Sequence, residues 1–154
     1  MTSADLAEEL GLPVRMRMVG FAFAGVDPEV MGIGPIPATE KALQKTGLGL
    51  GDIGLIEINE AFAVQVLAFL DHFGLTDDDE RVNPYGGAIA MGHPLASSGV
   101  RLMIQLARSF AEHPEVRYGL TTMCVGLGMG GTVIWENPHH SGAGSRAASK
   151  GASA

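Results

Sequence analysis

The run Asn83-Pro84-Tyr85-Gly86-Gly87-Ala88-Ile89-Ala90-Met91-Gly92-His93-Pro94 constrains this chain more than any other stretch. So dense in glycine, it reads as a loop, and it leads into a helical pattern. Glycine backbone can pass close to a ligand, because no Cβ stands in the way. A helix start supplies unpaired N–H groups and a positive dipole, both useful to a developing anion. His93 is placed there to act as acid, base or hydrogen-bond donor. A second glycine-rich turn, Cys124-Val125-Gly126-Leu127-Gly128, holds the only cysteine of the chain. The two loops read as parts of one active site.

The chain has 154 residues, enough for one domain with a real core. Apolar content of 46% with 18% charged residues is that of a globular protein. A net charge of −7 argues against nucleic acid or an anionic membrane as partner. One cysteine rules out an internal disulfide and fits a reducing cytoplasm. No His/Cys grouping has zinc-ligand spacing. No apolar stretch is long enough to span a bilayer, and no secretory pattern follows Met1.

Helical spacing covers Ala4–Leu10, and Met16–Ala24 reads as a strand. Residues 25–37 read as a loop, Thr39–Thr46 as a short helix, and Ile53–Ile58 as a strand. Ala61–Phe73 is a helix apolar almost all round, a pattern expected of burial on several sides. Leu95–Glu112 is amphipathic, with Val100, Met103, Ile104, Leu106, Ala107 and Phe110 expected inward. Arg101, Gln105, Arg108 and Glu112 mark its expected wet side. Tyr118–Val125 and Thr132–Trp135 read as a hairpin of strands. The alternation predicts an α/β domain over 1–137, with a largely parallel sheet closed by one antiparallel strand. Residues 138–154, rich in Gly, Ser and Ala, are expected to be a disordered tail. An α/β unit ordinarily opens with a strand and this one opens with a helix, so its start looks cut.

Loops beyond strand ends are where such sheets place their sites. Asn59-Glu60-Ala61-Phe62 directly follows the Ile53–Ile58 strand. Taken alone, Asn59 reads first as a helix N-cap. Cys124 taken alone reads equally as a small buried hydrophobe or as a reactive thiol. His72, His113, His139 and His140 sit in polar or tail settings and read as surface residues. Gly126-Leu127-Gly128-Met129-Gly130-Gly131 fits the dinucleotide-binding glycine pattern, but a strand follows it where that reading needs a helix. The dinucleotide reading is rejected.

Together these loops resemble the thiolases, the 3-ketoacyl-CoA thiolase and acetyl-CoA acetyltransferase family, in its carboxy-terminal half. An Asn-Glu-Ala-Phe loop, a Gly-His-Pro loop and a Cys-x-Gly loop occur in the family's order as Asn59–Phe62, Gly92–Pro94 and Cys124–Gly126. The stretch Met31–Thr39 resembles the family's substrate-side loop. The similarity covers roughly residues 4–137 and departs at Ala96, where the family commonly has glycine.

The resemblance implies a thiolase-like half fold, a layered mixed sheet with helices on its faces that lacks its first strand. It implies reversible Claisen chemistry on acyl-CoA, with coenzyme A as substrate and no cofactor or metal. His93 would activate the nucleophilic thiol and donate to the thioester oxygen. Asn59 would hold a water in the same oxyanion hole. Cys124 would be the acid/base at the substrate α-carbon, and the Gly126 N–H would belong to a second oxyanion hole. Met31 and Phe62 would line the acyl pocket.

The family's nucleophile is a second cysteine in the amino-terminal half, which this chain does not contain. Three readings stay open: part of a thiolase, one half of a split enzyme, or a non-catalytic interaction module. The first implies an amino-terminal thiolase half as partner, a homo-oligomer when complete, and a place in fatty-acid β-oxidation.

Overall fold

The structure, a computed structural model, describes residues 1–140. In chain order its elements are α1 (Ala4–Glu9), β1 (Arg17–Gly25), α2 (Pro35–Thr46), β2 (Ile53–Ile58), α3 (Ala63–Phe73), α4 (Ala88–Met91), α5 (Ser98–Glu112), β3 (Tyr118–Val125) and β4 (Met129–Glu136). The four strands form one mixed sheet in the order β1-β4-β3-β2. Only β2 and β3 pair in parallel, while β4 is antiparallel to both of its neighbours. The expected largely parallel sheet is corrected in its pairing. β1, β2 and β3 do run the same way, but the closing hairpin inserts β4 between β1 and β3.

Helices cover both faces. On one face α2 and α3 pack Ala42, Leu43 and Phe69 onto Ala22, Ile56, Ile58, Leu120 and Ile134. On the other, α5 packs Leu106 and Phe110 onto Leu55 and Trp135. Phe69 and Phe110 are fully buried, one in each layer, and truncating either to alanine removes burial worth about 3–5 kcal/mol.

Several local expectations change. Residues 25–37 are not all loop: Pro28–Ile33 is a 3₁₀ turn, and α2 begins at Pro35 rather than Thr39. Proline suits a helix start, since its fixed φ is helical and its missing N–H would be unpaired there anyway. α3 buries Gln65, Phe69 and Leu70, yet Val64 and Leu67 are 73% and 56% exposed. Its all-round apolarity is therefore not matched by all-round cover within this chain.

The helix expected from Leu95 begins at Ser98, after a 3₁₀ turn over Leu95–Ser97. Ala96, where the family commonly has glycine, lies exposed in that turn. The inward face of α5 is Leu102, Leu106, Ser109 and Phe110, so Val100 and Ile104 point outward. Arg101 is not on the wet side, because two of its guanidinium nitrogens are buried. At 100° per residue, neighbouring apolar stripes compete for the core, and contact with Leu55 and Trp135 selects one. Of the tail, 138–140 form a turn on Asn137, and His139 Nε2 lies 3.1 Å from the Val14 carbonyl. The remaining residues of the expected disordered tail lie outside the described residues.

Candidate active site

β2 ends at Ile58, and its extension carries Asn59 into the interior, where it is fully buried. Asn59 is not the cap of α3, since the helix begins at Ala63 with Phe62 in the capping position. Its side chain instead turns toward the glycine run, where Asn59 Nδ2 lies 3.4 Å from His93 Nε2. The other ring nitrogen, Nδ1, is 2.6 Å from Ser98 Oγ at the start of α5. With the Asn59 amide as donor, Nε2 accepts and the ring proton sits on Nδ1, donated to Ser98. An imidazole so held keeps its accepting nitrogen on the side of Asn59.

The glycine run reaches His93 through a short helix, α4, that ends at Gly92 with φ +89°. That left-handed turn lets the chain reverse toward Ser98, and the Arg101 guanidinium donates to the Gly92 carbonyl. Arg101 also bears on Glu57, a fully buried carboxyl on β2 with no hydrogen-bond partner for either oxygen among the described residues. Burial pushes the Glu57 pKa up to about 7, with Arg101 drawing it down and Glu60 adding to the rise.

Cys124 lies one residue before the end of β3, opposite Gly130 on β4. Its Sγ–H donates to Gln65 Oε1 at 3.4 Å, and Gln65 Nε2 donates to the Asn59 carbonyl at 3.4 Å. Gln65 thus ties the cysteine loop to the asparagine loop. Burial raises the Cys124 thiol above its ordinary pKa, while a hydrogen bond from its own backbone opposes the rise. The group therefore rests as a thiol near neutral pH, able to give a proton and to take it back.

Gly126 begins the three-residue turn of the β3–β4 hairpin, in which Leu127 and Gly128 have φ of +67° and +82°. A Cβ at Gly126 would meet nothing within 4 Å, so the chain's own packing does not demand glycine there. Met31 lies on the 3₁₀ turn Pro28–Ile33, whose Gly32 faces Gln65 so that a Cβ there would lie 3.4 Å from Gln65 Cβ. Phe62 is 55% exposed at the entry to α3.

Three of the six residues singled out from sequence are thus linked side by side: Asn59, His93 and, through Gln65, Cys124. Gly126 and Met31 border them, and Phe62 stands on the surface beside Asn59's loop. Sequence reasoning missed Gln65 and Ser98. Each is a polar residue at an otherwise core-facing helical position, which was the available signal. Among the described residues there is no group of three or more His, Cys, Asp or Glu placed to hold a metal ion. No helix among them is long and apolar enough to cross a membrane.

A mixed sheet between helical layers, with side chains from the ends of β2 and β3 and from the loop after α4 brought together, defines the class of protein. The model of the thiolase C-terminal domain matches residues 12–137, and the chain belongs to the thiolase family. It is 52% identical over 135 residues to a 3-ketoacyl-CoA thiolase of Photobacterium profundum, covering 87% of this chain and 35% of that protein. Among solved structures it resembles the Bacillus anthracis acetyl-CoA acetyltransferase, with a TM-score of 0.83 at 40% identity, covering 88% of this chain and 34% of that one. Human mitochondrial 3-ketoacyl-CoA thiolase matches with the same TM-score, identity and coverage. The chain spans about a third of the length of the curated relatives it matches.

Proposed function

We propose that this chain supplies the acid/base and oxyanion-stabilising half of a thiolase. The reaction is thiolytic cleavage of a 3-ketoacyl-CoA, or the reverse condensation of two acyl-CoAs. The observation that carries the reading is the linked set Cys124–Gln65–Asn59–His93–Ser98. It holds a resting thiol and a basic imidazole nitrogen around one buried amide.

In cleavage, a nucleophilic thiol from outside these residues gives its proton to His93 Nε2 and attacks the 3-keto carbon. Ser98 keeps the opposite ring nitrogen donating, so the proton arrives at Nε2 alone. The bond between C2 and C3 then breaks, and its electron pair becomes the enolate of acetyl-CoA. The His93 imidazolium donates to that enolate's thioester oxygen. Asn59 Oδ1 is buried without a donor among the described residues, which suits it to holding a water in the same hole. Cys124 protonates C2 and releases acetyl-CoA. The Cys124 thiolate then takes the proton of CoA–SH, whose thiolate attacks the acyl thioester with the Gly126 N–H serving the oxyanion of that step. The nucleophile leaves as a thiolate that recovers its proton from His93. Met31 and Phe62 border the acyl chain.

Cys124 is the only cysteine of the chain, so the acyl-carrying thiol belongs to an amino-terminal thiolase half. CoA enters as substrate and no resident cofactor is needed. The complete assembly is a homo-oligomer. It works in the cytoplasm on degradation of acyl chains, a setting that rests on the family resemblance.

The test is acetoacetyl-CoA thiolysis by the purified chain alone and after co-expression with an amino-terminal thiolase half. The expected result is no turnover alone and turnover in the assembly, abolished by Cys124→Ser or His93→Ala. Turnover by the chain alone overturns the missing nucleophile. An assembly that forms and stays inert favours a non-catalytic module.

A further inference from the structure

Glu60 follows Asn59 directly, yet its side chain serves the other loop. One carboxylate oxygen accepts from Asn83 Nδ2 at 2.7 Å, and the other accepts from the Ile89 backbone N–H at 2.9 Å. Those two donors flank Gly86 and Gly87, so the carboxylate spans the glycine run that leads to His93. Asn83 is in turn fastened to the residue before Asn59. Its Oδ1 accepts from the Ile58 N–H at 2.9 Å, and its Nδ2 donates to the Ile58 carbonyl at 3.0 Å.

Residues 58 and 60, on either side of Asn59, are therefore both stitched to the loop that delivers His93. Gly87 gives the carboxylate its room, since a Cβ there would lie 2.2 Å from Glu60 Cδ. No metal or ligand role accounts for this carboxylate, because both oxygens are used by neighbouring donors of the chain.

We infer that Glu60 is a positioning residue that sets the Asn59–His93 contact by clamping the Asn83–Ile89 run beside it. A carboxylate is suited to this, having two acceptor oxygens at fixed separation, and bonds to a charged acceptor are stronger than neutral ones. The inference rests on the proposed reading for its catalytic meaning, but the clamp itself is a matter of geometry.

The test therefore reads geometry rather than turnover. In the isotope-labelled 154-residue chain, the nuclear Overhauser contact between the Asn59 side-chain amide and the His93 ring is followed by NMR. Glu60→Ala is expected to erase that contact and shift the Ile89 amide, with the β3–β4 amide signals unchanged. Gly87→Ala, which displaces the carboxylate without removing it, is expected to do the same. Combined with Glu60→Ala it is expected to add nothing, since the space is then free. Survival of the contact in either single variant overturns the inference, as does additivity of the two. Should Glu60→Ala unfold the chain, Glu60→Gln decides. It keeps one acceptor for Ile89 but turns a donor toward Asn83, so the contact weakens while the sheet persists. An unchanged contact there overturns the clamp. A clamp that behaves as expected in a chain that never supports thiolysis leaves the geometric inference standing and removes the functional reading.

Discussion

Each ring nitrogen of His93 meets a side chain from another element, Asn59 beyond β2 and Ser98 at the head of α5. Two fixed partners hold the imidazole in one orientation, and only the nitrogen facing Asn59 is left basic. Beneath this pair the chain tolerates a more costly residue, Glu57, whose buried carboxyl is pushed up to about 7 from an ordinary 4.5. Between those values the folded chain keeps a proton that the unfolded chain has released. Stability from this group is therefore complete below about pH 4.5 and is lost as pH rises through 7. A shift of this size corresponds to roughly 3 kcal/mol at 1.36 kcal/mol per pH unit. Urea unfolding at pH 5 and pH 8 is expected to show that decline in the parent chain and much less of it in Glu57→Gln. Equal slopes in the two proteins would refute the assignment.

At the scale of elements, the β3–β4 hairpin contains two kinds of glycine. Gly130 passes so close to the start of α2 that a Cβ would lie 2.0 Å from the carbonyl carbon and oxygen of Gly34. Gly126 faces open space. Gly130→Ala forces backbone from backbone, an overpacking worth about 1–3 kcal/mol or more, so thermal unfolding is expected about 5 °C lower. Gly126→Ala is expected to unfold within about a degree of the parent, because surface changes away from special features stay within about 0.5 kcal/mol. The same close approach seats Thr39 of α2 against Thr132 of β4. Their hydroxyls lie 2.9 Å apart, and Thr132 continues to Thr122 of β3 at 2.7 Å. A buried hydroxyl line thus joins helix, inner strand and neighbouring strand just below the Cys124 turn. A shift at Gly130 would be felt there first.

For the whole molecule, cover is uneven. α2 packs on the Ala22 and Ala24 side of β1, while α5 sits over β2 and β3 on the other face. The opposite side of β1 shows Phe21 and Phe23, 47% and 67% exposed, with rings 5.9 Å apart edge to face. Outward apolar residues of α3 and α5 add Val64, Leu67 and Ile104. Apolar patches of this kind drive association. Sedimentation of the 154-residue chain is expected to give species heavier than a monomer, shifting toward monomer on Phe21→Ser with Phe23→Ser. A monomer at all concentrations would count against that surface being active in association.

By itself the sequence determined the longer helices and the strands to within a few residues, while α4 and the 3₁₀ turn Pro28–Ile33 lie in stretches that read as loop. It also showed that Asn59, His93 and Cys124 stand at or just beyond the ends of elements. Those are local matters, carried by apolar period, by glycine and proline, and by motifs a few residues long. The tertiary structure alone decided that β4 lies between β1 and β3, that α5 turns Leu102 rather than Ile104 inward, and that Arg101 is drawn in. It also decided which side chains meet. Asn59 meets His93 across 34 residues of chain, and Cys124 reaches Gln65 across 59. Neither pairing leaves a period or spacing in the sequence. Each exists because packing brings distant strand ends and helix starts to one place, where a buried polar group must find a partner or forfeit its hydrogen bonds to water.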